Sequence, residues 1–379
     1  MKKFEFTEET TLGEYLSYWF YTYRANRIRN KTNDDYRLTI FRHINPKIGD
    51  IPLSQLTMDV IQNFFNDEAE NGNLRYGGPL SPKTLYNMRG LFYSALDKAV
   101  LLGYIPRNPV IGIETPVIIK KEMYVLTVEE GNKVRMAALL DEHLDYGFAF
   151  WLALSFGLRN GEVCGLKWTD FDFDKLQLTV SRTVTRVEDT DPNSEKRSKM
   201  IVSYPKTEKS HRTIPFTETV RDIIFDVKKR RSERNYYCVR NADTDMRAFV
   251  MLNKNGNYAD TGTVNKNFKR FLKKIGINDP NYTMHSLRHT FVTRGIEKGV
   301  DIKTLSEIVG HTSVEFTLNR YGHVLDDHKR KVMEHILEDI QPPSSIKDTE
   351  EKKLKKEKGT ATTLTSLSNS DILSGIGEE

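Results

Sequence analysis

The sequence has little of what staples or anchors a chain. Of 379 residues only two are cysteine, Cys164 and Cys238. They lie far apart without a CxxC spacing, which speaks against a disulfide framework or a zinc ribbon and fits a reducing, cytoplasmic setting. Long apolar runs are missing too. The most apolar stretch, Tyr146 to Leu158 (YGFAFWLALSFGL), is too short to cross a bilayer, so it reads as a buried core helix and no membrane partner is expected. The start, MKKFEFTEETTLGEY, has no apolar stretch of the kind a secretory leader carries. Charge imbalance is small as well: 57 basic against 52 acidic residues leave +5. A nucleic-acid partner therefore has to be argued from local clusters. Metal-ligand spacing is sparse. His285 and His289 are four residues apart, but Ser286 stands where a zinc protease carries its general base, and no third ligand cluster follows, so no metal is expected.

What is present suits two globular domains and a tail, with 38% hydrophobic residues. The fold class reads as mainly α with a small antiparallel β-sheet. From Leu12 to Leu102 the apolar spacing predicts four amphipathic helices, with breaks at Asn45-Pro46, Ile51-Pro52 and Gly77-Gly78-Pro79. Residues 1–105 form this helical bundle, and 106–122, which holds Pro106, Pro109 and Pro116, is a linker. A second domain over 123–340 opens with helices through Gly165. Alternating segments at Leu176 to Val187, Met200 to Pro205 and His211 to Pro215 follow as one small sheet, and helices resume from Thr219 to about Ile340. Residues 341–379, rich in Lys, Glu, Ser and Thr, read as disordered.

Several clusters carry chemistry. Attack on a phosphodiester builds negative charge on the phosphate oxygens and needs fixed cations aimed at them. Arginine suits this because its planar fork grips two oxygens and keeps its proton. Arg159 in GLRNGE and Arg288 in HSLRHT are the candidates. Glu162 follows Arg159 by one helical turn, close enough to orient a cation. His285 and Arg288, at i and i+3, share a helix face. Lys206 and Lys209, in the turn between two predicted strands (PKTEKSHRTIPF), are candidates to protonate a departing oxygen. Tyr321 in TLNRYGHV is the one plausible nucleophile. Its hydroxyl, with an ordinary pKa of about 10, needs cations around it to attack. For DNA contact, the helix around Val264, Phe268 and Phe271 carries Lys266, Lys269 and Arg270 largely on its other face. Arg24, Arg27, Arg29 and Lys31 crowd the junction of the first two helices as a phosphate anchor. The run Lys228-Lys229-Arg230-Arg231 reads equally well as a second basic patch or as a solvated helix face.

In their order, GLRNGEVCGLKW, PKTEKSHRTIPF, HSLRHTFVT and GHTSVEFTLNRYGHV resemble the tyrosine recombinase (phage integrase) family, within it the integrases of conjugative transposons and temperate phages. The resemblance covers about Tyr124 to Ile340, and the preceding bundle is similar to that family's core-binding domain. It implies an α+β catalytic domain in which Tyr321 attacks the scissile phosphate to leave a 3'-phosphotyrosyl link. Lys206 would act as general acid, with Lys209 the alternative. Arg159, Arg288 and His311 would stabilise the transition state, His285 would assist proton transfer, and Glu162 would support them. It further implies double-stranded DNA core sites as substrate and a homotetramer, with the helix near 327–340 packing on a neighbour. It admits an accessory excision factor and a type IB reaction without metal or nucleotide. A chromosome-dimer resolvase of the same family and a type IB topoisomerase-like enzyme are the alternative readings. Such integrases usually carry an additional N-terminal arm-binding domain, and the sequence leaves open whether it is naturally absent here or was removed.

Overall fold

A computed structural model describes residues 5–25, 27–28, 30–119, 123–140, 144–189, 193–194, 197–204, 211–233, 245–311, 313–315, 317–318, 321, 333 and 337. The chain divides into two compact units, Met1–Leu318 and Asn319–Glu379. The expected tail, and the expected helix near 327–340 apart from the exposed Met333 and Leu337, lie outside the described residues.

Within the first unit one apolar core runs from Leu12 to Ile113 and another from Leu126 to Leu287. The first belongs to a helical bundle: α1 (Leu12–Trp19), α2 (Asn30–Leu38), α3 (Asn45–Ile48), α4 (Met58–Asn71) and α5 (Pro82–Leu101). Side chains with polar oxygens start three of these helices. Thr11 and Glu14 form a reciprocal capping box on α1, Thr57 caps α4, and Ser81 caps α5 just before Pro82. Tyr15, Leu16, Trp19, Phe65 and Phe92 are almost wholly buried between the helices. Each such side chain contributes about 1.5–3 kcal/mol.

One expected break is absent. The helical path continues through Asn45-Pro46 because Thr39–Ile44 forms a π turn in which the Asn45 N–H donates to the Ile40 carbonyl instead of the carbonyl one residue later. Pro46 then falls in the first turn of α3, where its missing N–H costs least. The path ends at Gly49, whose N–H closes on Asn45 at 3.0 Å. The buried Glu68 of α4 ties this segment down, 2.7 Å from His43 Nδ1 and 2.6 Å from Lys47 Nζ.

The second core is built on α7 (Leu144–Phe156), buried along its length from Phe148 to Leu154 as its unbroken apolar sequence requires. Around it lie α6 (Val128–Ala137), α8 (Asn160–Gly165), α9 (Glu218–Glu233), α10 (Thr261–Lys274), α11 (Met284–Glu297) and α12 (Ile302–Val309). The strands are β1 (Phe171–Asp172), β2 (Gln177–Val180), β3 (Thr183–Glu188), β4 (Ser198–Ser203) and β5 (Arg212–Pro215).

The expected single sheet is two. An antiparallel β1-β2-β5 sheet pairs Leu178 with Ile214 and Val180 with Arg212, while among the described residues β3 and β4 pair only with each other. The segment expected to be one strand from Leu176 to Val187 breaks at Ser181-Arg182. There the Arg182 guanidinium turns to Asp170 at 2.6 Å and to the Gly165 carbonyl. Strands β4 and β5, which flank the segment that bears Lys206 and Lys209, therefore belong to different sheets and do not pair with each other. The outer edge of β3 meets α2: the Glu188 N–H donates to Asp34 at 2.8 Å, and Arg37 Nε lies 3.3 Å from the Glu188 carboxylate.

Candidate active site

Three elements bring the candidate cations together at a glycine. After α7 the chain turns at Gly157, whose φ of +64° suits glycine. A Cβ there would also meet Phe291 of α11 at 2.6 Å and Val309 of α12 at 3.0 Å. Two residues on, Arg159 stands in extended backbone as the N-cap of α8. Arg288, on α11 and only 1% exposed, donates from Nη1 to the Gly157 carbonyl at 2.8 Å. Arg159 Nη2 donates to the carbonyl of Gly310, just past α12, at 2.6 Å. Gly310 is left-handed at φ +66° and passes the chain to His311. The His311 N–H bonds the Ser306 carbonyl, and its Nδ1 lies 2.7 Å from Thr317 Oγ1.

Glu162 sits beneath this cluster. Each of its oxygens receives one hydrogen bond from Arg159 and one from Arg212: Oε1 from Arg159 Nη1 at 2.7 Å and Arg212 Nη1 at 3.0 Å, Oε2 from the Arg159 backbone N–H at 2.9 Å and Arg212 Nη2 at 2.8 Å. Burial by itself would raise the carboxyl. The Arg212 hydrogen bonds and the charges of Arg212 and Arg159 outweigh it and hold Glu162 at about 2. The carboxylate is thus a permanent anion between two permanent cations.

Arg159, Glu162, Arg288 and the Gly310-His311 turn are therefore neighbours. His285 is exposed on the same helix as the buried Arg288, its ring edge-on to that of His289 at 4.4 Å. Tyr321 is 1% exposed and belongs to the second unit. Lys206 and Lys209 lie outside the described residues.

Sequence reasoning gave no role to Arg212, which the structure buries at 7% exposure. The signal was present. In β5 the alternation places Arg212 in phase with the buried Ile214, and a charge on the buried face of a strand must have a buried partner.

Of the residues read as DNA-binding, Lys266, Lys269 and Arg270 are exposed on α10, opposite the buried Val264, Phe268 and Phe271. Lys269 also donates to the Pro280 carbonyl. Arg24 is half-buried over the Trp19 ring and bonded to Ser94. Arg27 is exposed, Lys31 pairs with Asp35 at 2.6 Å, and Arg29 is outside the described residues. The run from Lys228 to Arg231 divides, with Lys228 and Lys229 exposed, Arg230 half-buried and Arg231 buried. Arg231 is buried and bonded to the Val250 carbonyl, Arg230 reaches the Leu139 carbonyl, and Lys228 covers Trp168. A cleft of about 850 Å³ between α2 and the β3-β4 pair adds cations that the sequence did not single out, among them Arg37, Arg42, Arg186 and Arg197.

Among the described residues no helix is long and apolar enough to cross a membrane.

An arginine pair presented by two helices, a buried carboxylate bracing one of them, and a histidine on the adjoining turn thus converge at Gly157 on a mainly helical frame. Residues 127–328 match the model of the phage integrase family, and residues 11–68 match the phage integrase N-terminal SAM-like domain. The chain belongs to the phage integrase family and is a tyrosine-type site-specific DNA recombinase. It is 28% identical over 335 residues to a tyrosine recombinase XerC-like protein of Caldanaerobacter subterraneus subsp. tengcongensis, covering 86% of this chain and 83% of that one. It is 26% identical over 305 residues to the ICEBs1 integrase of Bacillus subtilis, with coverage of 79% and 76%. Among solved structures its fold is similar to that of the Tn1549 transposon integrase in complex with transposon right end DNA, with a TM-score of 0.67, 22% identity, and coverage of 86% and 99%.

Proposed function

We propose that the chain integrates and excises a mobile element by cutting and rejoining double-stranded DNA at core sites through a covalent link to Tyr321. The observation that carries this reading is the meeting of Arg159, Arg288 and the Gly310-His311 turn around Gly157. Fixed guanidinium groups at one point suit the charge that develops on a phosphate under attack. Two of the five N–H groups of Arg159 are engaged in these side-chain bonds, and its side chain is 40% exposed, which supports a part for its other donors in holding a phosphate.

In the step proposed, the Tyr321 oxygen attacks phosphorus, a new P–O bond forms to tyrosine, and the bond to the 5' oxygen breaks. The tyrosine proton leaves with help from His285, and Lys206 supplies a proton to the departing 5' oxygen. Arg159, Arg288 and His311 hold the phosphate oxygens. Rejoining is the reverse attack by a 5'-hydroxyl. The phosphotyrosyl link conserves the bond energy, so the exchange needs no nucleotide and no metal. Lys266, Lys269, Arg270, Arg24, Arg27, Arg29 and Lys31 are proposed to hold backbone phosphates. A homotetramer on two duplexes, docked through the segment near 327–340, is the proposed assembly, an accessory excision factor is a proposed partner, and the cytoplasm is the proposed site of action.

A nicked suicide duplex carrying the element's end tests this reading. Wild type should form an SDS-resistant protein-DNA adduct and Tyr321→Phe none. An adduct with Tyr321→Phe, or its absence in wild type, refutes the assignment. For the acid, a 5'-bridging phosphorothiolate should restore cleavage to Lys206→Ala. Rescue of Lys209→Ala instead would move the role to Lys209.

A further inference from the structure

We infer that Arg212 is a positioning residue that holds Arg159 and the Gly310-His311 turn in one fixed frame. The inference rests on the recombinase chemistry proposed above and assigns a part in it to a side chain that touches no reacting atom.

The argument is geometric. Arg212 makes three contacts with two elements. Its terminal nitrogens grip both oxygens of Glu162 on α8, and its Nε donates to the carbonyl of Ile308 in the last turn of α12 at 2.7 Å. Glu162 in turn holds Arg159 by both its backbone N–H and its guanidinium. Arg159 closes the circuit on the Gly310 carbonyl. The path Arg159, Glu162, Arg212, Ile308, Gly310 and back to Arg159 is a closed circuit of four hydrogen-bonded links, completed by the backbone from Ile308 to Gly310.

Gly310 fits over this guanidinium with no room to spare, since a Cβ there would lie 2.9 Å from Arg212 Nη1. Arg212 thus fixes both ends of the cation site, the α8 N-terminus through Glu162 and the end of α12 through Ile308. The fork geometry is what permits this. Two parallel N–H donors match a carboxylate while the third points elsewhere, an arrangement that lysine cannot reproduce. A buried ion pair is weak evidence for stability as such. Its directional bonds to two separate elements are what give it a role in placement.

The test is single-turnover adduct formation on the suicide duplex, read beside DNA affinity, unfolding midpoint and pH dependence for Arg212→Met, Arg212→Lys and Glu162→Gln. Arg212→Met should bind the core site within about twofold of wild type yet cleave on the order of a hundredfold more slowly, the scale expected for a small displacement of an oriented group. Its rate should also gain an acid limb. The charged groups facing Glu162 are Arg159 beside it on α8 and Arg212 from β5. Without Arg212 the buried carboxyl takes up a proton at higher pH and releases Arg159.

Arg212→Lys keeps the charge and covers the case in which Arg212→Met does not fold. It should recover the unfolding midpoint and a flat pH profile but only part of the rate. The double variant with Glu162→Gln should be no slower than Arg212→Met alone, because both changes break one circuit. A 5'-bridging phosphorothiolate should not rescue Arg212→Met. Rescue would place the effect on the general acid and overturn the inference. So would cleavage within threefold of wild type, or full recovery of rate in Arg212→Lys. The two readings fail separately. An adduct that persists in Tyr321→Phe refutes the nucleophile alone and leaves the Arg212 rates meaningful, whereas a wild-type protein that forms no adduct refutes both.

Discussion

At the scale of single residues, the carboxylate of Glu162 between two arginines governs how the site responds to acid. Its carboxyl is held at about 2 against an ordinary 4.5. A group depressed in the folded state stabilises the fold fully above its unfolded value and loses that contribution as pH falls through the folded one. The window therefore runs from 4.5 down to about 2, and the contribution is roughly 3 kcal/mol. Urea midpoints measured across that range should fall for wild type and fall less in Glu162→Gln, the remaining slope coming from other carboxylates that their partners hold low, Glu68 and Asp260 among them. At neutral pH the same variant leaves Arg212 as a buried cation with a weakened partner, a loss of about 3–5 kcal/mol. Arg159 and Glu162 were readable in the sequence because they share one helical turn. Strand alternation marks Arg212 as buried but not its partners, which come from about fifty residues earlier and about a hundred later and are revealed only by pairing in space.

At the scale of elements, the glycine after α7 sets the approach of three helices. Gly157→Ala would have to hold an unfavourable left-handed φ and push against Phe291 and Val309, at about 1–3 kcal/mol for the backbone alone. The thermal midpoint should drop, and adduct formation should fall more than DNA affinity does, since the displaced group is the carbonyl that receives Arg288. The helices were readable from apolar spacing, and α7 from its unbroken apolar run. Two features were not. The helical path through Pro46 depends on a π turn, a change of hydrogen-bond register that no side-chain pattern marks. The division into two sheets depends on Arg182 leaving the strand for Asp170, a contact that alternation cannot show.

At the scale of the whole molecule, the cations are of two kinds. The exposed cations of α10 are screened by salt, whereas the buried ring around Arg212 is screened much less. A plot of log affinity against log salt should lose about 0.9 in slope for each phosphate contact removed by Lys266→Ala, Lys269→Ala or Arg270→Ala. A slope unchanged in all three would take α10 out of the DNA interface. The nested strands also govern how the chain reaches its folded state. Because β3 and β4 pair with each other inside the span that separates β2 from β5, the inner pair can zip locally first. Doing so shortens the loop that the Val180-Arg212 pairing must close, a saving of about 1 kcal/mol in closure entropy. Arg212 reaches Glu162 only when β5 docks on β2. The circuit around Arg212 should accordingly close late in folding, and variants that weaken the β3-β4 pair should slow refolding more than they hasten unfolding.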